Sequence, residues 1–232
     1  MTRPPNRSGK ARQDGRPSGP RRRGDGPSGR RGDEPGRLRL FYAVFVPRDL
    51  REELRHSQRL LRGDYWKKVH PDQFHVTLLF LGSVASEELE RVRQAGAAVA
   101  SQQAPFAARL RGTGFFPNEG SPRVWFAKAE GEGFAPLAAA LTERLGNGES
   151  EDFKAHVTLA RKKGPAARPG PVVFNLDWEV ASIDLVRSVL LPAGPAYQVL
   201  ESFPLSGSPR EAPGSSSQQP EASNPSSPRE DA

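Results

Sequence analysis

The chain of 232 residues contains no cysteine, which removes disulfides, thiolate metal sites and cysteine nucleophiles together. Histidine is scarce too, since His56, His70, His75 and His156 are the whole imidazole supply. Apolar residues make up only 35% of the sequence, and no run approaches the roughly 18 that a membrane-spanning helix needs. Residues 1–37 have no apolar side chains beyond Met1 and Ala11. They lack the apolar region of a signal peptide, and they cannot bury enough surface to offset the entropy of ordering, so disorder is expected there.

What is present is unevenly spread. The formal net charge is +7, and residues 1–37 alone hold eleven Lys/Arg against four Asp/Glu. Residues 207–232, rich in Ser and Pro, hold two Arg against four acids and read as a second disordered extension. Between them, residues 38–206 carry 21 basic and 19 acidic side chains, so the net charge belongs to a tail and the foldable part is nearly neutral. The tail sets Arg21-Arg22-Arg23 and Arg30-Arg31 among Gly and Pro, a composition shared with segments that follow nucleic-acid backbones. Arginine outnumbers lysine 27 to 7 over the whole chain, however, so the tail's bias is partly that of the protein.

The 169 residues of the central part are enough for one compact core or two small lobes. Strands are expected over 38–46, 74–81 and 105–116, with helices over 50–61 (Asp49 as N-cap) and 86–100 (Ser86 as cap). The order then repeats: a strand over 123–129, a helix over 134–145 ended by Gly146, and a strand over 155–160, about 81 positions after their counterparts. Final strands are expected over 178–190 and 197–205, flanking the turn 191–195. A period this long indicates a duplicated unit (about 38–120 and 121–206) and not a solenoid. The expected fold is α+β: two pseudo-symmetric lobes, each a mainly antiparallel sheet with outer helices, and an active-site cleft between them.

Two histidines stand in near-identical surroundings, His75-Val76-Thr77-Leu78 and His156-Val157-Thr158-Leu159, separated by the repeat offset of 81. With five Thr in the chain, composition alone yields two His-x-Thr pairs among four histidines with a probability of about 0.3%. On a strand, residues i and i+2 share a face, so each His sits beside its Thr while the intervening Val packs behind. Two imidazoles titrating near pH ~6.5 can act as base and acid across a phosphate, and the hydroxyls can donate to its non-bridging oxygens. Such chemistry requires no metal or other cofactor. His56, on a helix beside Arg55, and His70, before Pro71, are expected to be structural or surface residues.

These residues resemble the two-histidine phosphoesterases with paired H-x-T-hydrophobic motifs, and within them the LigT-like RNA 2′,3′-cyclic phosphodiesterases, once called 2′-5′ RNA ligases. Leu40-Phe41-Tyr42-Ala43-Val44 is similar to the family's opening strand, residues 66–71 and 74–82 to its first motif region, and residues 156–161 to its second. Residues 188–197 resemble its closing S-x-L-x-P-x-G-x-x-Y hairpin. The resemblance spans about 38–205 and implies His75 as proton donor, His156 as proton acceptor, and Thr77, Thr158 and Arg161 as phosphate-binding groups. Arg161 is odd relative to His156, so reaching the same face requires the strand to end or bulge near Ala160. His70 departs from the family, where arginine is common before the proline.

The implied reaction is hydrolysis of an RNA 2′,3′-cyclic phosphate end to a 2′-phosphomonoester, and in reverse an ATP-independent 2′-5′ joining of a 5′-hydroxyl. No G-x-x-x-x-G-K-[ST] loop or K-x-D-G signature is found to support ATP-driven ligation. The expected partner is RNA bearing cyclic phosphate ends, with no membrane, for a cytoplasmic monomer. Two other readings stay open at this point: a phosphodiesterase for another cyclic phosphate or a 2′-5′ oligonucleotide, and an RNA-binding module with a vestigial cleft.

Overall fold

The computed structural model describes residues 35–146, 153–192 and 194–208. The two tails expected to be disordered lie outside the described residues, apart from 35–37 and 207–208. Arg37 already belongs to the first strand, and the Gly207 amide donates to the Gln103 carbonyl at 3.1 Å.

The aromatic and β-branched opening run forms β1 (Arg37–Phe45). Its pleat splits it cleanly, with Leu40, Tyr42 and Val44 in the main core while Phe41 and Ala43 pack with Val186 in a smaller cluster. Helix α1 (Arg48–Ser57) follows Pro47, and Asp49 lies in its first turn, where it complements the helix dipole, and does not cap it. After a short strand β2 (Trp66–Lys68), β3 (His75–Ala85) runs past Gly82, where the expected strand stops. Gly82 adopts φ 71° beside an irregularity in the β1–β3 register, so the chain kinks there and keeps pairing. Ser86 spends its hydroxyl on the Gly36 carbonyl at 2.8 Å, and a 3₁₀ turn intervenes before α2 (Leu89–Ala100).

The remaining elements are β4 (Phe106–Phe116), β5 (Val124–Glu130), α3 (Phe134–Leu145), β6 (His156–Lys162), β7 (Val173–Val180), β8 (Ser182–Leu191) and β9 (Gly194–Pro204). The single strand expected over 178–190 is interrupted at Ala181, and its two parts, β7 and β8, pair in opposite halves of the sheet. The nine strands of the described residues form one antiparallel sheet in the order β7-β4-β5-β6-β3-β1-β8-β9, with β2 also pairing with β6. The helices cover one face, where Leu54, Val92, Val99, Leu137 and Leu141 join Leu40, Val76, Trp125 and Val157 in a continuous core. This is the α+β class expected from the sequence.

The two half-sheets are not the two halves of the sequence. β4 precedes the midpoint yet pairs with β5, because seven residues connect them and a short link favours an antiparallel neighbour. The β8–β9 hairpin comes last and returns to pair with β1. Each half-sheet therefore holds strands from both parts of the chain.

Helix α2 reaches the sheet through Gly96. A Cβ there would lie 2.7 Å from the Phe203 ring and 2.8 Å from the Tyr42 hydroxyl, both on buried side chains. Gly96→Ala gains helix propensity worth about 1 kcal/mol but must displace two packed aromatics. A net loss of about 1–3 kcal/mol is expected, read as a lowered thermal midpoint. An unchanged or raised midpoint would show that the contact can relax.

Candidate active site

The half-sheets meet at one pairing, Val76 of β3 opposite Val157 of β6. Directly opposite residues in an antiparallel pair are related by a local two-fold axis, and these two are separated by the repeat offset of 81. The axis exchanges His75 with His156 and Thr77 with Thr158. Because both valines are fully buried in the helix-covered core, all four flanking side chains project from the other face. A sheet seam thus gathers two imidazoles and two hydroxyls whose counterparts across it lie 79 to 83 positions apart in sequence.

A second duplicated feature completes the set. Tyr42 pairs with Leu79 and Ala43 with Thr77, which leaves Leu78 as an extra residue in β3. Trp125 pairs with Ala160 and Phe126 with Thr158, which leaves Leu159 extra in β6. Both bulges fall three residues after the histidine and bury two consecutive side chains, Leu78-Leu79 and Leu159-Ala160. Beyond a bulge the strand parity inverts. Arg161 therefore returns to the face of His156, which meets the condition its odd spacing imposed, and it lines the same pocket. Phe80, the counterpart of Arg161 at the repeat offset, does likewise.

Each imidazole is held by the carbonyl two residues earlier, with His75 Nδ1 at 2.6 Å from the Gln73 oxygen and His156 Nδ1 at 2.7 Å from that of Lys154. An Nδ1–H that donates to a carbonyl leaves the neutral Nε2 as an acceptor. His75 Nε2 lies 3.1 Å from Thr77 Oγ1, which can donate to it. Aromatic rings surround both: Phe41, Phe45 and Tyr197 at 5.2–5.6 Å from His75, and Phe116 and Phe126 at 4.9 and 5.3 Å from His156. Burial pushes the His75 pKa down to about 4, against the opposing pull of the Gln73 carbonyl, and the charges of His156 and Arg161 lower it further. Burial also lowers that of His156, with Arg161 adding to the effect. The His75 ring is therefore uncharged in the free protein near neutral pH, and the same burial favours the neutral form of His156.

The pocket over the seam holds about 430 Å³. All five residues expected from the sequence line it, together with Arg39, Lys67, Lys68, Gln73, Phe80 and Tyr197, and among the described residues no Asp or Glu does. His56 is exposed on α1, and His70 is exposed beside Asp72, whose amide donates to its Nδ1 at 3.3 Å. Phe80 and Arg39, whose guanidinium stacks 4.6 Å over the Phe80 ring, are absent from the sequence-based set. The offset of 81 that relates Phe80 to Arg161 is the signal that could have found the first of them. Among the described residues no three His, Cys, Asp or Glu side chains are grouped as metal ligands, and no helix is long and apolar enough to cross a membrane.

A model of the LigT like Phosphoesterase family matches residues 44–126. A Thermus thermophilus protein named RNA 2′,3′-cyclic phosphodiesterase is 53% identical over 183 residues, covering 73% of this chain and 91% of that protein. An Archaeoglobus fulgidus protein of the same name is 38% identical over 182 residues, 72% of this chain and 99% of its own length. Among solved structures, one from Thermus thermophilus superposes with a TM-score of 0.69 at 51% identity, covering 73% of this chain and 99% of that one.

The depressed His75 pKa has a consequence for stability. An unfolded histidine takes up its proton near pH ~6.5, whereas the folded one does so only near pH 4. Across that window the unfolded chain binds the extra proton, so stability present above pH ~6.5 is lost as pH falls toward 4, by roughly 3 kcal/mol at most. His75→Gln should show a smaller loss over the same window in urea unfolding. Equal pH slopes for the two proteins would rule out a buried neutral imidazole at this position.

Proposed function

Because the chain belongs to the LigT-like phosphoesterase family, we propose that it is a phosphodiesterase that hydrolyses RNA 2′,3′-cyclic phosphate ends to 2′-phosphomonoesters, without a metal or other cofactor. The observation that carries this reading is the seam itself, where two H-x-T motifs face one pocket across a local two-fold axis with Arg161 brought to the same face. A phosphate on that axis meets two hydroxyls, two Nε2 atoms and a guanidinium.

In the proposed reaction Thr77, Thr158 and Arg161 donate to the non-bridging oxygens, where negative charge grows in the transition state. His156 accepts a proton from water as its oxygen attacks phosphorus. The bond from phosphorus to the ribose 3′-oxygen breaks, and His75 delivers a proton to that oxygen. The products are a 2′-phosphate and a free 3′-hydroxyl. With a 5′-hydroxyl in place of water, the same steps form a 2′-5′ linkage and need no ATP. The symmetry makes the histidines geometrically alike, so which one donates follows from the family resemblance.

One requirement comes from the environment of His75. An imidazole that titrates near 4 is not protonated in the free protein at neutral pH, so the anionic substrate must raise its pKa by placing negative charge against Nε2. Proton loading of the acid is then coupled to substrate binding. The cytoplasm as compartment and a monomer as working unit belong to the same proposal.

The purified protein should open a nucleoside 2′,3′-cyclic phosphate in excess chelator, and His75→Ala and His156→Ala should each lower kcat by at least about a hundredfold. Full activity in both variants would end the assignment, and RNA binding without hydrolysis by the unaltered protein would favour a vestigial cleft. Nuclear magnetic resonance titration of His75 should show its pKa rising from about 4 when a nucleoside 2′-phosphate is added. No rise would argue against His75 as the acid.

A further inference from the structure

The pocket has a charged end that the proposed reaction does not use. Lys67 on β2 lies directly opposite Arg161 on β6, and Lys68 lies opposite Ala160. Directly opposite side chains on antiparallel strands stand about 4.5–5.5 Å apart at Cβ and share a face, and like charges in that relation repel. Both Lys67 and Arg161 line the pocket, as does Lys68, and among the described residues no acidic side chain does. Lys162 sits over the Trp66 ring and lies outside the pocket lining, so three cations of this two-stranded ribbon, Lys67, Lys68 and Arg161, face the pocket. Residues 38–206 as a whole are nearly neutral, with 21 basic and 19 acidic side chains. The concentration is therefore local, and a low-dielectric cleft focuses it.

The Lys67 ammonium also has a defined place. It reaches the tip of the β8–β9 hairpin, where a Cβ on Gly194 would fall 2.7 Å from Nζ. Gly194 adopts φ 135°, a conformation that L side chains rarely take, and so presents only backbone to the ammonium. The result is a cation set across the pocket mouth beside the arginine proposed to hold the reacting phosphate.

We infer that Lys67 and Lys68 form a subsite for a second phosphate of the RNA, the internal phosphodiester on the 5′ side of the terminal nucleotide. The inference rests on the phosphodiesterase reading above, because a cyclic phosphate ends its strand and leaves only the 5′ side for a neighbouring anion. Lys67 and Arg161, opposite one another on paired strands and both lining the pocket, can share one anion. The subsite makes the enzyme a reader of polymer ends, favouring a chain of two or more nucleotides over a lone cyclic nucleotide.

The test compares dinucleotides ending in a 2′-phosphate, linked by an ordinary phosphodiester or by an uncharged methylphosphonate, with a mononucleoside 2′-phosphate as reference. In calorimetric titrations at fixed salt, the unaltered protein should bind the phosphodiester-linked probe at least about tenfold more tightly than the methylphosphonate one. That ratio should fall to within about twofold in Lys67→Ala/Lys68→Ala and persist in Lys67→Arg/Lys68→Arg. A ratio near one in the unaltered protein, or a ratio unchanged in the double alanine variant, would overturn the subsite. Failure of the catalytic reading shows separately, as no hydrolysis of a nucleoside cyclic phosphate, and leaves the linkage ratio readable.

Discussion

A single cross-strand pair, Val76 against Val157, organises this molecule. Both side chains are fully buried on the helix-covered face, which fixes the parity of β3 and β6 and drives the neighbouring His and Thr residues to the opposite face. A slip of one residue in either strand would bury a histidine in the apolar core and expose a valine in the pocket. The catalytic symmetry proposed above is thus a by-product of hydrophobic register. The paired bulges at Leu78 and Leu159 extend the same logic, since each lets two consecutive apolar residues face the core and re-aims the residue two positions on.

The duplication is nearly perfect at the motif and broken just beyond it. Five residues after each histidine stands Phe80 on one side and Arg161 on the other, so one half of the pocket offers an apolar ring beneath the Arg39 guanidinium and the other a bare cation. The imidazoles share their carbonyl anchors but differ in surroundings, with three aromatic neighbours around His75 and two around His156. A symmetric frame with unequal walls suits a reaction in which two chemically identical groups take opposite roles. Burial lowers the pKa of both rings, and in the proposed reaction only His75 is loaded with a proton when the anion binds, which links the proton inventory of the site to occupancy of the pocket.

Charge is distributed on two scales. The +7 of the whole chain resides in residues 1–37, of which only 35–37 are described, while the folded part approaches neutrality. Within that part the pocket is lined by four cations, Arg39, Lys67, Lys68 and Arg161, and by no carboxylate among the described residues; three of the four stand on the ribbon of β2 and β6. A polyanion is therefore drawn to the seam by local placement, not by net charge.

The sequence alone determined a good deal. Hydrophobic periodicity marked most strands and all three helices, because a buried face leaves its period in the residues, and the repeated H-x-T at an offset of 81 marked the histidines and threonines. It missed β2 and ran β7 and β8 together, since three residues carry no period and the break at Ala181 is a matter of which partner each strand finds. Caps at Asp49 and Ser86 were misplaced for a related reason, as Ser86 is claimed by Gly36, some 50 residues away. Tertiary structure alone decided that β4 joins β5 while β8 and β9 return to β1, that Arg161 faces the pocket, and that Lys67 stands against Gly194. Those facts depend on register, bulges and long-range pairing, which are energies of contact between distant residues and leave no local pattern to read.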